Sequence, residues 1–248
     1  MPIAKLNRSV IRLSGEGLYD WLNGLITNSL NADINFGALL TPQGKIIADF
    51  FVVKDADDWL IDTPTKFKDN LIKRLKMYKL RAPIEITESD LNVYALWGGQ
   101  GEEGFVDPRH EELGKRLLTA DDLPTEGDYN AHRLSLGVPD SEFDFGTQEM
   151  FPADANMDLL NGVDFKKGCF VGQEVVSRMK RKTEVRKRMR GFSYDGTLSS
   201  TDIKAGARLV GQVLHSHVGQ GMTLIRLDRL AATDEVPMVE GTEISLLE

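Results

Sequence analysis

Lys166-Lys167-Gly168-Cys169-Phe170-Val171-Gly172-Gln173-Glu174, continuing Val-Val-Ser-Arg, is the stretch on which the reading of this chain depends. Two glycines bracket a thiol and open a short helix expected from Gly172 to about Met179. Glycine lets backbone N–H groups approach a ligand closely, and a helix N-terminus favours an anion. A thiol beside lysines and a helix start is predicted to be more acidic than the ~8.5 of a free cysteine. Gln173 and Glu174 add acceptors and donors suited to a heterocycle with amide-like and amino edges. The same residues also suit a glycine-rich turn around one buried cysteine, and the stretch alone leaves both readings open.

The rest of the chain narrows the function classes. Its 248 residues are 41% hydrophobic and 27% charged, an ordinary globular composition. No apolar run approaches the ~18 residues of a membrane helix, and the N-terminal residues do not read as a secretory or transit segment. The expectation is a bacterial cytoplasmic protein with no membrane partner. A lone cysteine can form neither an internal disulfide nor a CxxC metal site, so no metal ligand set is assigned. His215 and His217 share one face if they lie on a strand, and read as a polar pair near a turn. No GxGxxG or Walker loop supports a nucleotide fold. The net charge of −8 conceals an inversion, because the window Arg178–Arg190 carries +7 and the remainder −15. This basic strip lacks the interleaved aromatics of single-strand binders, which disfavours nucleic acid as a direct ligand.

Periodicity supplies the elements. Val10–Leu13 reads as a strand, followed by Ser14 as a helix cap and by Leu18, Trp21, Leu22 and Leu25 as one helical stripe. Phe36–Leu40 and Ile46–Val53 form a hairpin around the turn Thr41-Pro42-Gln43-Gly44. Trp59–Ile61, a helix spaced by Phe67, Leu71 and Leu75 and capped by Thr63 or Thr65, and strands at Ile84–Thr87 and Asn92–Leu96 complete an α+β layer over residues 42–120. A polar loop begins at Gly98 and includes Asp107-Pro108-Arg109, and Tyr129–Leu136 is helical. From Phe192 onward, short strands at Phe192–Tyr194, Ala207–Val210, Gln212–His215, Met222–Leu227 and Thr242–Leu247, separated by turns carrying Gly196, Gly206, Gly211, Gly219-Gln220-Gly221 and Gly241, predict a small β-barrel.

The run KKGCFVGQE resembles the K-G-C-x-x-G-Q-E signature of the YgfZ-type folate-binding proteins. These are relatives of the glycine-cleavage T-protein (aminomethyltransferase) and are implicated in iron–sulfur enzyme maturation. Gly24-Leu25-Ile26-Thr27-Asn28-Ser29-Leu30 is similar to the G-x-x-T-N-D-L helix end of that superfamily, with Ser29 where Asp is usual. Leu40–Lys45 resembles its x-x-P-x-G-K hairpin. Asp107-Pro108-Arg109 with Leu113-Gly114-Lys115-Arg116 resembles its D-P-R … L-G-x-R segment, and Arg133 with Gly137 and Pro139 its R-x-x-x-G-x-P helix end.

The resemblance implies an α+β fold in three T-protein-like lobes around a central folate channel, with a C-terminal β-barrel. The expected division is residues 1–41 plus 121–183 as a discontinuous folate-binding domain, 42–120 as a ferredoxin-like domain, and 184–248 as the barrel. The implied cofactor is tetrahydrofolate or a one-carbon derivative, held by Asn28, Arg133, Lys167, Gly168, Gly172, Gln173 and Glu174. Cys169 is the candidate functional thiol. The implied partners are reduced folate and iron–sulfur enzymes or their assembly factors. The aminomethyltransferases carry a G-G-x-x-D-D segment, which aligns with Gly44–Asp49 and leaves Ala48 at one acidic position and Asp49 at the other. Losing a carboxylate removes a positioned base and argues against transferase chemistry, and Asp49 also suits an ordinary surface residue on the hairpin. Two alternatives stand beside the iron–sulfur role: a folate-dependent aminomethyl transferase, and an RNA-binding or tRNA-modification-linked module.

Overall fold

The computed structural model describes residues 1–99, 101, 103–182 and 185–247. Its elements run β1 (Ile3–Lys5), β2 (Arg8–Gly15), α1 (Leu18–Asn23), β3 (Ile34–Leu40), β4 (Ile46–Asp55), β5 (Asp58–Pro64), α2 (Lys68–Lys79), β6 (Ile84–Ser89), β7 (Asn92–Leu96), β8 (Phe105–Val106), β9 (Lys115–Thr119), α3 (Tyr129–Ser135) and α4 (Gln173–Lys182). There follow β10 (Lys187–Tyr194), β11 (Asp202–Ala205), β12 (Arg208–His217), β13 (Gln220–Arg226), α5 (Leu227–Leu230), β14 (Pro237–Val239) and β15 (Thr242–Leu246).

A five-stranded antiparallel sheet in the order β3-β4-β5-β2-β6 organises the N-terminal half. Strands β3 and β4 are apolar on both faces, so their alternate residues enter two cores. Phe36, Ala38, Phe51 and Val53 join Leu134, Met157 and Phe170 on one side. Leu39, Ile47, Phe50 and Val52 meet Leu18 and Leu22 of α1 and Leu71 and Leu75 of α2 on the other. This is why α1 and α2 need only a single apolar stripe each. The expected side-chain caps are not used. Ser14 lies inside β2 and α1 starts at Gly17 in left-handed backbone (φ 72), while the Thr63 hydroxyl donates to the Asp49 carbonyl (3.1 Å) and α2 is entered through a 3-10 turn. The 41/42 boundary falls in the β3–β4 turn, so residues on both sides of it share this sheet. The stretch expected as a polar loop holds β8, which joins β1, β7 and β9 in a second sheet.

Strands β10-β13-β12-β11-β14-β15 close into a six-stranded barrel through the β15–β10 pairing. The two short strands expected over 207–215 are one strand, β12. Gly211 lies inside that strand because a Cβ there would meet the Leu224 carbonyl oxygen at 2.7 Å, so it marks close strand contact rather than a turn.

Candidate functional site

The signature loop is tied to the sheet through the segment between α1 and β3. The Thr27 hydroxyl donates to Gly162 O (2.6 Å) and accepts from Ala38 N (2.9 Å). Ser29 Oγ donates to Asp164 Oδ2 (2.5 Å), and the Asp164 carboxylate accepts from the Lys166 and Lys167 backbone N–H groups. The Lys167 ammonium reaches back to the end of α1, donating to Asn23 O (2.6 Å), Ile26 O (3.0 Å) and Asn28 O (2.7 Å), with Asn23 Oδ1 at 3.2 Å. A cation on the last carbonyl of a helix, here that of Asn23, is well placed electrostatically. Partial burial nevertheless pulls its pKa down to about 8, against the opposing charge of Asp164.

Gly172 sets the other anchor. Its φ is +81°, and a Cβ there would lie 2.6 Å from the Thr41 carbonyl oxygen and 3.1 Å from Gly44 Cα. The loop therefore crosses directly over the β3–β4 turn, and only glycine fits the crossing. Phe170 is buried in the core shared with Phe36 and Phe51. Between these anchors Cys169 is exposed, as is Gly168, beside which a Cβ would meet nothing. Gln173 Nε2 donates to Gly168 O (3.2 Å), closing the loop, and Glu174 is exposed on the first turn of α4.

A second feature lies elsewhere. A cavity of about 400 Å³ is lined by Asn7, Arg8, Tyr129, Asn130, Asp140 and Glu142, with Phe143 and Asp128 beside them. Its floor is a buried ionic network. Asp62 pairs with Arg8 and with Arg116 (2.8 Å). Asp107 accepts from Arg109 at 3.0 and 2.9 Å and from Arg116 at 3.2 Å. Arg109 also donates to the Tyr129 hydroxyl (3.0 Å), and the Arg116 guanidinium lies 3.7 Å above the Phe51 ring centroid. The D-P-R … L-G-x-R segment is thus the frame of this network. Burial alone would raise the Asp140 carboxyl, but Arg8, Arg109 and Arg133 outweigh it and hold it at about 2. Glu142 Oε1 accepts from Asn7 Nδ2 (2.8 Å), whereas its Oε2 is buried without a hydrogen-bond partner among the described residues.

Asp49 belongs to this network and is not a surface residue. Alternation along β4 turns Ala48 into the α1–α2 core and Asp49 to the opposite face. There its carboxylate accepts from Ser141 Oγ, and its pKa is raised, by burial first, despite the Ser141 hydrogen bond. Arg133 is fully buried, donating to Asp144 at 2.7 and 3.1 Å, Val138 O and Asn130 Oδ1. Asn28 donates to Phe36 O and Asn161 O and is bound through its carbonyl by Lys167. The structure thus brings Asn28 and Lys167 together, while Arg133 belongs to the cavity's surroundings and no residue of 166–174 lines the cavity. His215 and His217 do share a face, on β12. They join the barrel to α3, through Asn130 Nδ2 (2.9 Å) and Asp128 Oδ2 (2.6 Å) respectively. Partial burial, helped by Arg133 and His217, pulls His215 down to about 4.

The cavity's lining is not legible in the sequence because Asn7 and Arg8 lie more than a hundred residues before Tyr129, Asn130, Asp140 and Glu142. The available signal was the density of charge in Asp140-Ser141-Glu142, directly after an apolar helix end.

Residues 186–247 match the family model "CAF17, C-terminal beta-barrel domain". The chain is similar to proteins named iron–sulfur cluster assembly factor IBA57 or its homolog, mitochondrial. The Mycosarcoma maydis protein is 28% identical over 76% of this chain and 56% of its own length. The Neurospora crassa protein is 28% identical over 93% and 63%, and the human protein 24% identical over 96% and 81%. The chain therefore spans less than two thirds of the length of these two fungal relatives. Among solved structures, the glycine cleavage system aminomethyltransferase T of Bartonella henselae superposes with a TM-score of 0.73, at 12% identity, covering 99% of this chain and 84% of that one. The fold is T-protein-like, with mixed α and β structure and a closed C-terminal barrel. These relatives are named as mitochondrial proteins, a finding that overturns the expectation of a bacterial cytoplasmic protein.

Proposed function

We propose that this chain is a reduced-folate-binding factor acting in iron–sulfur cluster assembly, with Cys169 as its cluster-facing thiol. The observation that carries the reading is the exposed Cys169 on a doubly anchored loop, in a chain similar to named iron–sulfur cluster assembly factors. The anchors at Lys167 and Gly172 hold the backbone while the thiol stays reachable. An iron–sulfur cluster takes about four cysteine-type ligands, so one thiolate contacts it transiently and a partner supplies the rest. The cluster is cargo in this scheme.

The cavity beside the ionic network is the site proposed for tetrahydrofolate or a one-carbon derivative. Glu142 Oε2, buried without a partner among the described residues, is an acceptor of the kind the amino-pyrimidine edge of a pterin requires. Tyr129 and Phe143 offer ring surface, and Arg8 and Asn130 offer donors. A tetrahydrofolate, when bound, supplies a reduced ring whose amine carries one-carbon units. Asn28, Arg133, Lys167 and Gln173 are already bonded within the fold, so in this reading they position the loop and the cavity wall, while Gly168 and Glu174 flank the thiol. Aminomethyl transfer is not part of the proposal. Ala48 is packed in the core where the transferases' segment carries a carboxylate, and Asp49 is engaged by Ser141.

Calorimetry with tetrahydrofolate and 5-formyl-tetrahydrofolate tests the ligand. Binding by wild type that weakens at least about tenfold in Glu142→Ala is expected, and no heat at high micromolar folate removes the claim. Cys169→Ser is expected to keep folate affinity and melting temperature but to lose rescue of an iron–sulfur maturation defect, and full rescue eliminates the thiol role.

A further inference from the structure

The basic strip is outside both sites, and its surroundings give it a specific character. Arg178, Lys180, Arg181, Arg186 and Lys187 are all exposed on the second half of α4 and the entry to β10, and Lys166 is exposed just before the thiol. None of the six makes a direct ion pair among the described residues, and only Lys187 has a carboxylate, that of Asp154, acting on it from nearby. Adjacent to them is a small, mainly apolar recess of about 20 Å³, walled by Pro152, Val163, Phe165, Val176, Met179 and Val185, where the one carboxylate in the wall, Asp158, is neutralised by Arg188 (2.8 Å). Lys180 stands at its rim, with its ammonium 5.1 Å from the Phe165 ring centroid. The recess has room for the end of one aliphatic side chain.

We infer that this face docks an acidic protein surface that presents one apolar side chain, which seats in the recess while flanking carboxylates meet the arginines and lysines of α4. Uncompensated charge around a small desolvated pocket is the arrangement of a protein contact, with a central anchor and a charged rim that steers the approach. A nucleic acid could use the cations for phosphate contacts but would leave the aliphatic recess unfilled, and no exposed aromatic among the strip residues offers it a stacking surface. The inference deepens the proposed function. Arg181 lies eight residues beyond Gln173, about 12 Å along α4, so a partner seated here lies within a helix length of Cys169.

The test needs neither folate nor a cluster, so its failure and that of the proposed function are separable. Fluorescence anisotropy is measured on the full chain with three labelled probes: a peptide of Asp and Glu around a central Leu, the same peptide with Ser in place of Leu, and a single-stranded RNA oligonucleotide. The Leu peptide is expected to bind, to weaken about tenfold or more with Arg178→Glu/Arg181→Glu, and to weaken comparably when Leu becomes Ser. Met179→Asp, which places a charge in the recess, is expected to abolish the Leu preference while leaving the salt dependence. The double charge-reversal variant should keep the wild-type melting temperature, and Met179→Asp should keep the wild-type circular dichroism spectrum at the assay temperature. Tighter binding of RNA than of the Leu peptide, equal binding of the two peptides, or insensitivity to charge reversal overturns the inference. So does a sedimentation result in which the double variant converts a wild-type dimer to monomer, since the occupant would then be a second copy.

Discussion

The two glycines of the signature loop make opposite predictions from one motif. At Gly172 the backbone is left-handed, which costs a residue with a Cβ about 1–2 kcal/mol. An added methyl also meets the Thr41 carbonyl oxygen at 2.6 Å and Leu40 Cβ at 3.2 Å, and overpacking of this kind costs about 1–3 kcal/mol. The sum for Gly172→Ala is about 3 kcal/mol of destabilisation. For a chain of this size each kcal/mol lowers the melting temperature by about 2–4 °C, so the fall is about 6–12 °C. Gly168→Ala has open space around its new Cβ, and its change is expected within about 0.5 kcal/mol. Urea denaturation followed by tryptophan fluorescence, with calorimetric melting on the same two variants, measures both. Equal destabilisation by the two substitutions, or a neutral Gly172→Ala, refutes the reading that the loop crosses over the β3–β4 turn.

Lys167→Met leaves the carbonyls of Asn23, Ile26 and Asn28 without their donor and should cost about 1–3 kcal/mol, read in the same denaturation assay, with faster hydrogen exchange at the end of α1. Asp107→Asn strips the shared carboxylate from Arg109 and Arg116 in the interior and should cost about 3–5 kcal/mol, and a loss below 1 kcal/mol would show that the network does not depend on that charge. His215 is held neutral in the folded protein, its pKa at about 4 against 6.5 unfolded. The unfolded chain binds the extra proton between those values, so this group's contribution to stability is complete above pH 6.5 and is lost as pH falls from 6.5 towards 4. His215→Gln should flatten that part of the stability profile, and an NMR titration of the His215 ring with a midpoint near 6.5 would contradict the assignment.

Much of the fold was legible along the chain because local patterns carried it. The apolar stripes of α1 and α2, the hairpin around Pro42 and Gly44, and the closely spaced glycines of the barrel each reflect a requirement met within a few residues. Where a glycine serves a distant contact, the same reasoning failed: Gly211 looked like a turn because the Leu224 carbonyl it accommodates belongs to another strand. The signature stretch likewise showed a thiol bracketed by glycines ahead of a helix, but neither that the loop is anchored nor that Cys169 is exposed, since Asn23, Thr41 and Asp164 meet the loop only through folding.

Tertiary structure alone decided the roles of the charged residues. Sequence marks Arg133 as a cation near a helix end, and pairing with Asp144 in the interior removes it from the pool of free ligand donors. One step of strand alternation buries Asp49 against Ser141 and turns Ala48 into the opposite core, a distinction that composition does not contain. The cavity of Asn7, Tyr129 and Glu142 exists because three segments more than a hundred residues apart at their extremes converge over one ionic network. Periodicity reports which face of an element is apolar, whereas the pairing of a buried charge depends on which other element arrives opposite it, and that is set by the packing of the whole chain.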